Sequence, residues 1–298
     1  MGLGNYIRIS CVCHTGYPSS KNIWVTYNNV GIWDEANIDK FEKKTVTIKL
    51  YKKGKYKATQ DALNQSYSSD IKDYKDEEEF ANFRSLKGGT LKDNYLYRGA
   101  SPLDNSYNRA SVVDNLLEKN NINSIIDIAD SYDDIDKYIA SDGFNSYYTK
   151  SIYDEGNLIA LAMGSGYTTD SYKKSLAIGI RHMLNTEGPY YIHCMEGKDR
   201  TGFISMLIEA LFGASYEEMC NDYMTTYQNY YKINKENTPD KYKAVVELYF
   251  DSFMEYLLGR SKKEDLIEAS YIESAKEYLL DGGLTLEEIN KFIDKFSK

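Results

Sequence analysis

The 298 residues are 42% hydrophobic and 27% charged. That balance excludes a disordered chain and allows one large domain or two small ones at roughly 150 residues each. Four prolines and twenty glycines exclude a collagenous or proline-rich linker protein, and no apolar run approaches the ~20 residues that cross a bilayer. The net charge of −9 counts against non-specific nucleic-acid binding, which draws on basic charge.

Residues 1–75 read as a small β-rich segment. Its first thirty residues lack the continuous apolar core of a signal peptide. A cytoplasmic location therefore stays open, as does a secreted or cell-surface one reached after loss of a leader. Cys11-x-Cys13-His14 offers three metal ligands with no visible partner cluster, and with Cys194 and Cys220 the four cysteines make no disulfide scaffold. Val46, Ile48 and Leu50 alternate with polar neighbours, and Lys52-Lys53-Gly54-Lys55 turns back toward Tyr56 and Ala58, so a hairpin is expected. Lysines crowd Lys40 to Lys57, with Glu42 the sole acid. An edge strand guarded by lysine is preferred over a surface that meets an anion. The acidic run through Asp70, Asp73 and Asp76–Glu79 connects to the second unit, residues 76–298.

From about residue 80 strands and helices alternate. Ala110, Val113, Leu116 and Leu117 have helical spacing; Ser124–Ile128 is a short apolar strand; Tyr147–Ile152 reads as another. Leu176, Ile180, Met183 and Leu184 mark a helix ending before Gly188-Pro189, Tyr190–His193 is strand-like, and Phe203–Phe212 is helical. The alternation predicts an α/β domain with a central, mostly parallel sheet flanked by helices. A helical C-terminal extension follows, with capping boxes at Ser215/Glu218 and Thr285/Glu288. Thr238-Pro239 opens a further helix reaching about Leu258. The 29 tyrosines are mostly accounted for by half-buried strand and helix positions.

The most specific stretch is His193-Cys194-Met195-Glu196-Gly197-Lys198-Asp199-Arg200-Thr201-Gly202, at a strand–loop–helix joint. Such a joint aims main-chain N–H groups into a hollow at the positive end of the helix, which suits an anion. The phosphate-binding set is then Met195, Glu196, Gly197, Lys198, Thr201 and Gly202. A helix N-terminus and a nearby cation favour a cysteine as thiolate. Arg200, six positions after Cys194, can fork onto two phosphate oxygens in a way lysine cannot. The Thr201 hydroxyl is placed to bond the sulfur, and His193 to orient the loop rather than act as base. A nucleotide P-loop is excluded because Asp199, not Ser or Thr, follows Gly197-Lys198, and Ile192 stands where its first glycine belongs. His14 and His182 have no catalytic context, and Cys220 reads as helix core or surface.

The stretch resembles the Cys-x5-Arg-Ser/Thr signature of the cysteine-dependent protein tyrosine and dual-specificity phosphatases, with their preceding histidine. Its HCxxGKDRTG form is similar to a bacterial branch, as are Asn82-Phe83-Arg84 and Leu96-Tyr97-Arg98-Gly99 upstream. The resemblance covers about 80–215. It implies the cysteine-phosphatase fold, hydrolysis of phosphate monoesters through a phosphocysteine intermediate, and no metal or other cofactor.

Two aspartates compete as general acid. Asp199 matches the Lys-Asp-Arg form of the signature. Asp154, 40 residues before Cys194, roughly matches the mobile acid loop of the wider family, though without its Trp-Pro partners. Asp199 is preferred. Lys198 favours a substrate with several phosphates and Glu196 disfavours one. Phosphotyrosine or mixed phosphoprotein substrates therefore rank first, and phosphoinositides or inositol phosphates second. A non-catalytic phospho-ligand reader is the alternative from another class, and the intact Cys194–Arg200 pair argues against it.

Overall fold

Five short strands form one sheet in the computed structural model, which describes residues 66–298. They are β1 (Arg84–Ser85), β2 (Leu96–Gly99), β3 (Ser124–Asp127), β4 (Leu158–Ala160) and β5 (Tyr190–His193). The order is β1-β2-β5-β3-β4; β1 runs antiparallel to β2 and the other pairings are parallel. β5 is thus central, and every residue of β2, β3 and β5 is buried. Parallel strands of this kind need cover on both faces, and the alternation of their side chains divides the core in two.

On one face α2 (Ala110–Lys119), α3 (Tyr132–Ile139) and α4 (Tyr147–Asp154) bury Val113, Leu116, Leu117, Ile135 and Ile152 with Ile125, Leu158 and Tyr191. On the other, α5 (Asp170–Asn185) and α6 (Asp199–Leu211) bury Leu176, Ile180, Met183, Phe203, Met206 and Leu207 with Ile126, Tyr190 and Ile192. Each such side chain, fully withdrawn from water, stabilises the fold by about 1.5–3 kcal/mol. Helix α6 is buried from Thr201 to Leu211, because the C-terminal helices cover the side turned away from the sheet. These are α7 (Tyr216–Tyr231), α8 (Pro239–Val245), α9 (Asp251–Leu258), α10 (Lys263–Glu268), α11 (Ile272–Asp281) and α12 (Leu286–Phe296). α7 and α11 pack directly on α6. A short α1 (Glu77–Ala81) precedes the sheet. Among the described residues no helix is long and apolar enough to cross a membrane.

The expected sheet, its flanking helices and both capping boxes are present. Tyr147–Ile152 differs, being helix α4 rather than a strand. Its aromatic composition is overridden by a tertiary cap: the Asp114 carboxylate accepts the main-chain N–H groups of Tyr148 (3.1 Å) and Thr149 (2.7 Å) and the Thr149 hydroxyl (2.6 Å), which satisfies donors the first helical turn leaves open. The helix expected through Leu258 is interrupted by a π-helical turn over Val246–Phe250. The expected hairpin near residues 46–58, the lysine-rich stretch Lys40–Lys57 and the Cys11-x-Cys13-His14 group lie outside the described residues.

Candidate active site

Parallel strands place all their C-terminal ends along one edge of the sheet. There His193, the last residue of β5, stands in register between Gly99 of β2 and Asp127 of β3. The chain then turns through Cys194–Lys198 into α6, which begins at Asp199. The turn needs a left-handed residue, and Gly197 supplies it at φ +66°; a Cβ there would lie 2.1 Å from the Gly99 carbonyl oxygen. Gly197 thus lets the loop approach the backbone of the end of β2 directly.

The carbonyls of the loop are held from outside. Ser101 N donates to Met195 O (3.0 Å), the Tyr230 hydroxyl to Glu196 O (2.8 Å), and Arg98 Nη2 to Gly197 O (2.7 Å). Asn82 Nδ2 lies 3.4 Å from both the Glu196 and Gly197 oxygens. In a trans peptide the N–H points opposite to the C=O of the same unit. Pulling these three carbonyls outward therefore turns the N–H groups of Glu196, Gly197 and Lys198 to the inner side of the loop.

Arg98 is 1% exposed and is held by a charge network. Its Nη1 pairs with Asp222 of α7, whose other oxygen accepts Arg84 Nε at 2.6 Å. Burial alone would raise the Asp222 carboxyl, but the two guanidinium groups hold it below its ordinary value. The sequence motifs around Asn82-Phe83-Arg84 and Leu96-Tyr97-Arg98-Gly99 are thus the underside of the loop. Asp222, on a distant helix, carried no sequence signal.

Cys194 is buried at the start of the loop, 4% exposed. Arg200, in the first turn of α6, donates from Nη1 to the Met163 carbonyl (2.9 Å). Met163 belongs to the loop after β4, which is pinned to the turn after β3 by Met163 N to Ile128 O (2.7 Å) and Ala162 N to Asp130 O (3.0 Å). His193 is fully buried, and burial lowers its imidazole to about 4. It is therefore neutral at neutral pH. Its Nδ1 lies 3.4 Å from the Cys194 carbonyl oxygen, and its Nε2 lies 3.8 Å from Asp127 Oδ2. The Thr201 hydroxyl, expected on the sulfur, is buried with no hydrogen-bond partner among the described residues. Gly202 is also buried, where a Cβ would come within 2.9 Å of the Tyr223 ring. Met195 is the exposed apolar side chain of the loop, at 43%.

The charged rim is tied to itself. Lys198 Nζ lies 3.0 Å from Glu196 Oε2, 3.9 Å from Asp199 Oδ2 and 3.1 Å from the Tyr231 hydroxyl. Burial works against the Lys198 ammonium, but Asp199 and Glu196 more than reverse it and raise its affinity for the proton. The Tyr67 hydroxyl donates to Glu196 Oε1, and its ring stacks on Tyr230 at 4.7 Å. No sequence pattern announced Tyr67, since its partners are scattered along the chain.

The two candidate acids fall at opposite ends of the sheet. Asp199 opens α6 at the loop, with its side chain half exposed. Asp154 is the last residue of α4, ion-paired with Lys150 just before β4 begins. It lies at the N-terminal edge of the parallel strands, and the length of β4 separates it from the loop. The structure does not bring Asp154 to the site.

The sequence profile of the tyrosine phosphatase family matches residues 76–298. The chain belongs to that family. No curated protein matches the chain.

Proposed function

We propose that the chain is a phosphate-monoester hydrolase of the protein tyrosine or dual-specificity type, with the cysteine-phosphatase fold and a phosphocysteine intermediate. The observation that supports this most is the outward tethering of three successive loop carbonyls, with Cys194 at one end of the loop and Arg200 at the other. Main-chain donors, with a buried thiol at one end of the loop and a guanidinium at the other, suit the three non-bridging oxygens of a phosphate ester.

In the first step the Cys194 sulfur forms a bond to phosphorus as the bond to the leaving oxygen breaks, and Asp199 donates a proton to that oxygen. In the second, water attacks phosphorus, Asp199 takes its proton, the S–P bond breaks and inorganic phosphate departs. Positioning and preorganised charge carry most of the acceleration. The bacterial HCxxGKDRTG branch belongs to the same proposal and rests on the motif residues.

For the substrate, the neutralisation of Lys198 by Glu196 and Asp199 favours a single phosphate on a tyrosyl or mixed phosphoprotein over a phosphoinositide. Hydrolysis of aryl phosphates, with C194S as the inactive control, tests the reaction. D199N tests the acid: it should slow a poor leaving group by about 10²–10⁴-fold and a good one little, while D154N changes neither. A uniform response of D199N to leaving group removes that assignment.

A further inference from the structure

At the C-terminal ends of β3 and β5, Asp127 Oδ2, Asp130 Oδ2 and His193 Nε2 are buried without a hydrogen-bond partner among the described residues. The proposed chemistry uses neither aspartate. Asp127 ends β3, fully buried, and its Oδ1 accepts the main-chain N–H groups of Ala129 (2.8 Å) and Asp130 (3.0 Å). That turn folds Asp130 back, so that each carboxyl feels the other, and it leaves Asp127 Oδ2 facing His193 at 3.8 Å. Asp130 is anchored in place, since its carbonyl accepts Ala162 N at 3.0 Å.

The titratable and charged groups that act most strongly on the two carboxyls come from four elements. β5 brings the neutral His193, α6 brings Arg200, the turn after β2 brings Asp104, and α3 brings Tyr138. One negative charge here is matched by Arg200, and a second has no such counterpart in that set. Two adjacent carboxyls in a dry site satisfy both orphaned oxygens most cheaply by holding one proton between them.

We propose that Asp127 and Asp130 form a shared-proton carboxyl pair that sets the alkaline limit of the site. Both act through the charge they place behind the loop, and the inference rests on the phosphatase reading only for its effect on rate. Burial, and then the charge of Asp127, push Asp130 up to about 7. Above that pH the pair gains a second negative charge behind the loop. This charge opposes the phosphate dianion and draws Arg200 away from it.

The test begins with the wild-type protein: carboxyl-carbon NMR of labelled aspartate across pH, assigned with D127N and D130N. The expected result is that one carboxyl of the pair titrates near neutrality. If both titrate in the ordinary carboxylate range, the pair does not exist, whatever the activity. The second measurement is kcat/KM against pH for an aryl phosphate with a good leaving group, for which proton donation by Asp199 matters little. D130N should keep wild-type activity at pH 6 and lose the alkaline fall, whereas superimposable wild-type and D130N profiles overturn the inference. D127N should lose the same fall, and it carries the kinetic test should D130N not fold. Absence of any phosphatase activity in the wild type strikes the proposed function and leaves the NMR result to decide the pair.

Discussion

The underside of the Cys194–Lys198 loop and its rim are built on opposite lines. Underneath, Arg98, Asn82 and Ser101 are all buried, at 1%, 0% and 1% exposure, and they hold loop carbonyls in a network shared with Asp222 and Arg84. At the rim, Glu196, Lys198 and Asp199 are partly exposed and paired chiefly with one another. The difference separates two jobs. On the proposed function, the underside sets where the loop N–H groups point, and the rim sets the charge a substrate meets. Substitutions below should therefore cost geometry, and those above should change preference.

R98M breaks this comparison most severely. It removes the bond to Gly197 O and leaves Asp222 with Arg84 alone, and the loss of one partner of a buried pair costs about 3–5 kcal/mol. Thermal unfolding should show that loss, and kcat on an aryl phosphate should fall by about 10²-fold through displacement of the loop. A fully active R98M would show that the carbonyl tether is unnecessary.

E196Q comes next and sharpens the other side. It weakens the hold on Lys198 and should raise the ratio of phosphoinositide to phosphotyrosyl-peptide turnover, with kcat on a simple aryl phosphate little changed. An unchanged ratio would detach Glu196 from substrate choice.

The smallest effect is expected at Y67F, which deletes only the hydroxyl on Glu196. It should lower stability by about 1 kcal/mol and leave kcat near wild type. A large fall in kcat would move Tyr67 from support of the rim into the site itself.

The carboxyls behind the loop add a pH dependence of stability. Asp130 rises from its ordinary 3.8 to about 7 on folding, so the folded state holds more protons between those values. Its contribution is full below pH 3.8 and is lost as pH rises through 7. D130N should flatten that decline, measured as denaturant midpoint against pH.

Local order was legible where neighbours in sequence are neighbours in space. The spacing of Leu176, Ile180 and Met183 marks α5, the apolar Ser124–Ile128 marks β3, and Ser215/Glu218 caps α7 as read. The strand–loop–helix joint that holds Cys194, Gly197 and Arg200 was legible for the same reason. What failed depended on distant partners. Tyr147–Ile152 became helix because Asp114 caps it. Asp154 fell out of the site because parallel strands send their two ends to opposite edges. Arg98 lay in a motif whose purpose only Asp222 and Gly197, far along the chain, reveal.

The most direct test of the central claim is chemical quenching of the wild-type enzyme during turnover of an aryl phosphate, with mass spectrometry of the peptide that contains residue 194. The account predicts a phosphoryl group on the Cys194 sulfur, absent from C194S, whose turnover is abolished. A phosphoryl group on any other residue, or undiminished hydrolysis by C194S, would contradict it.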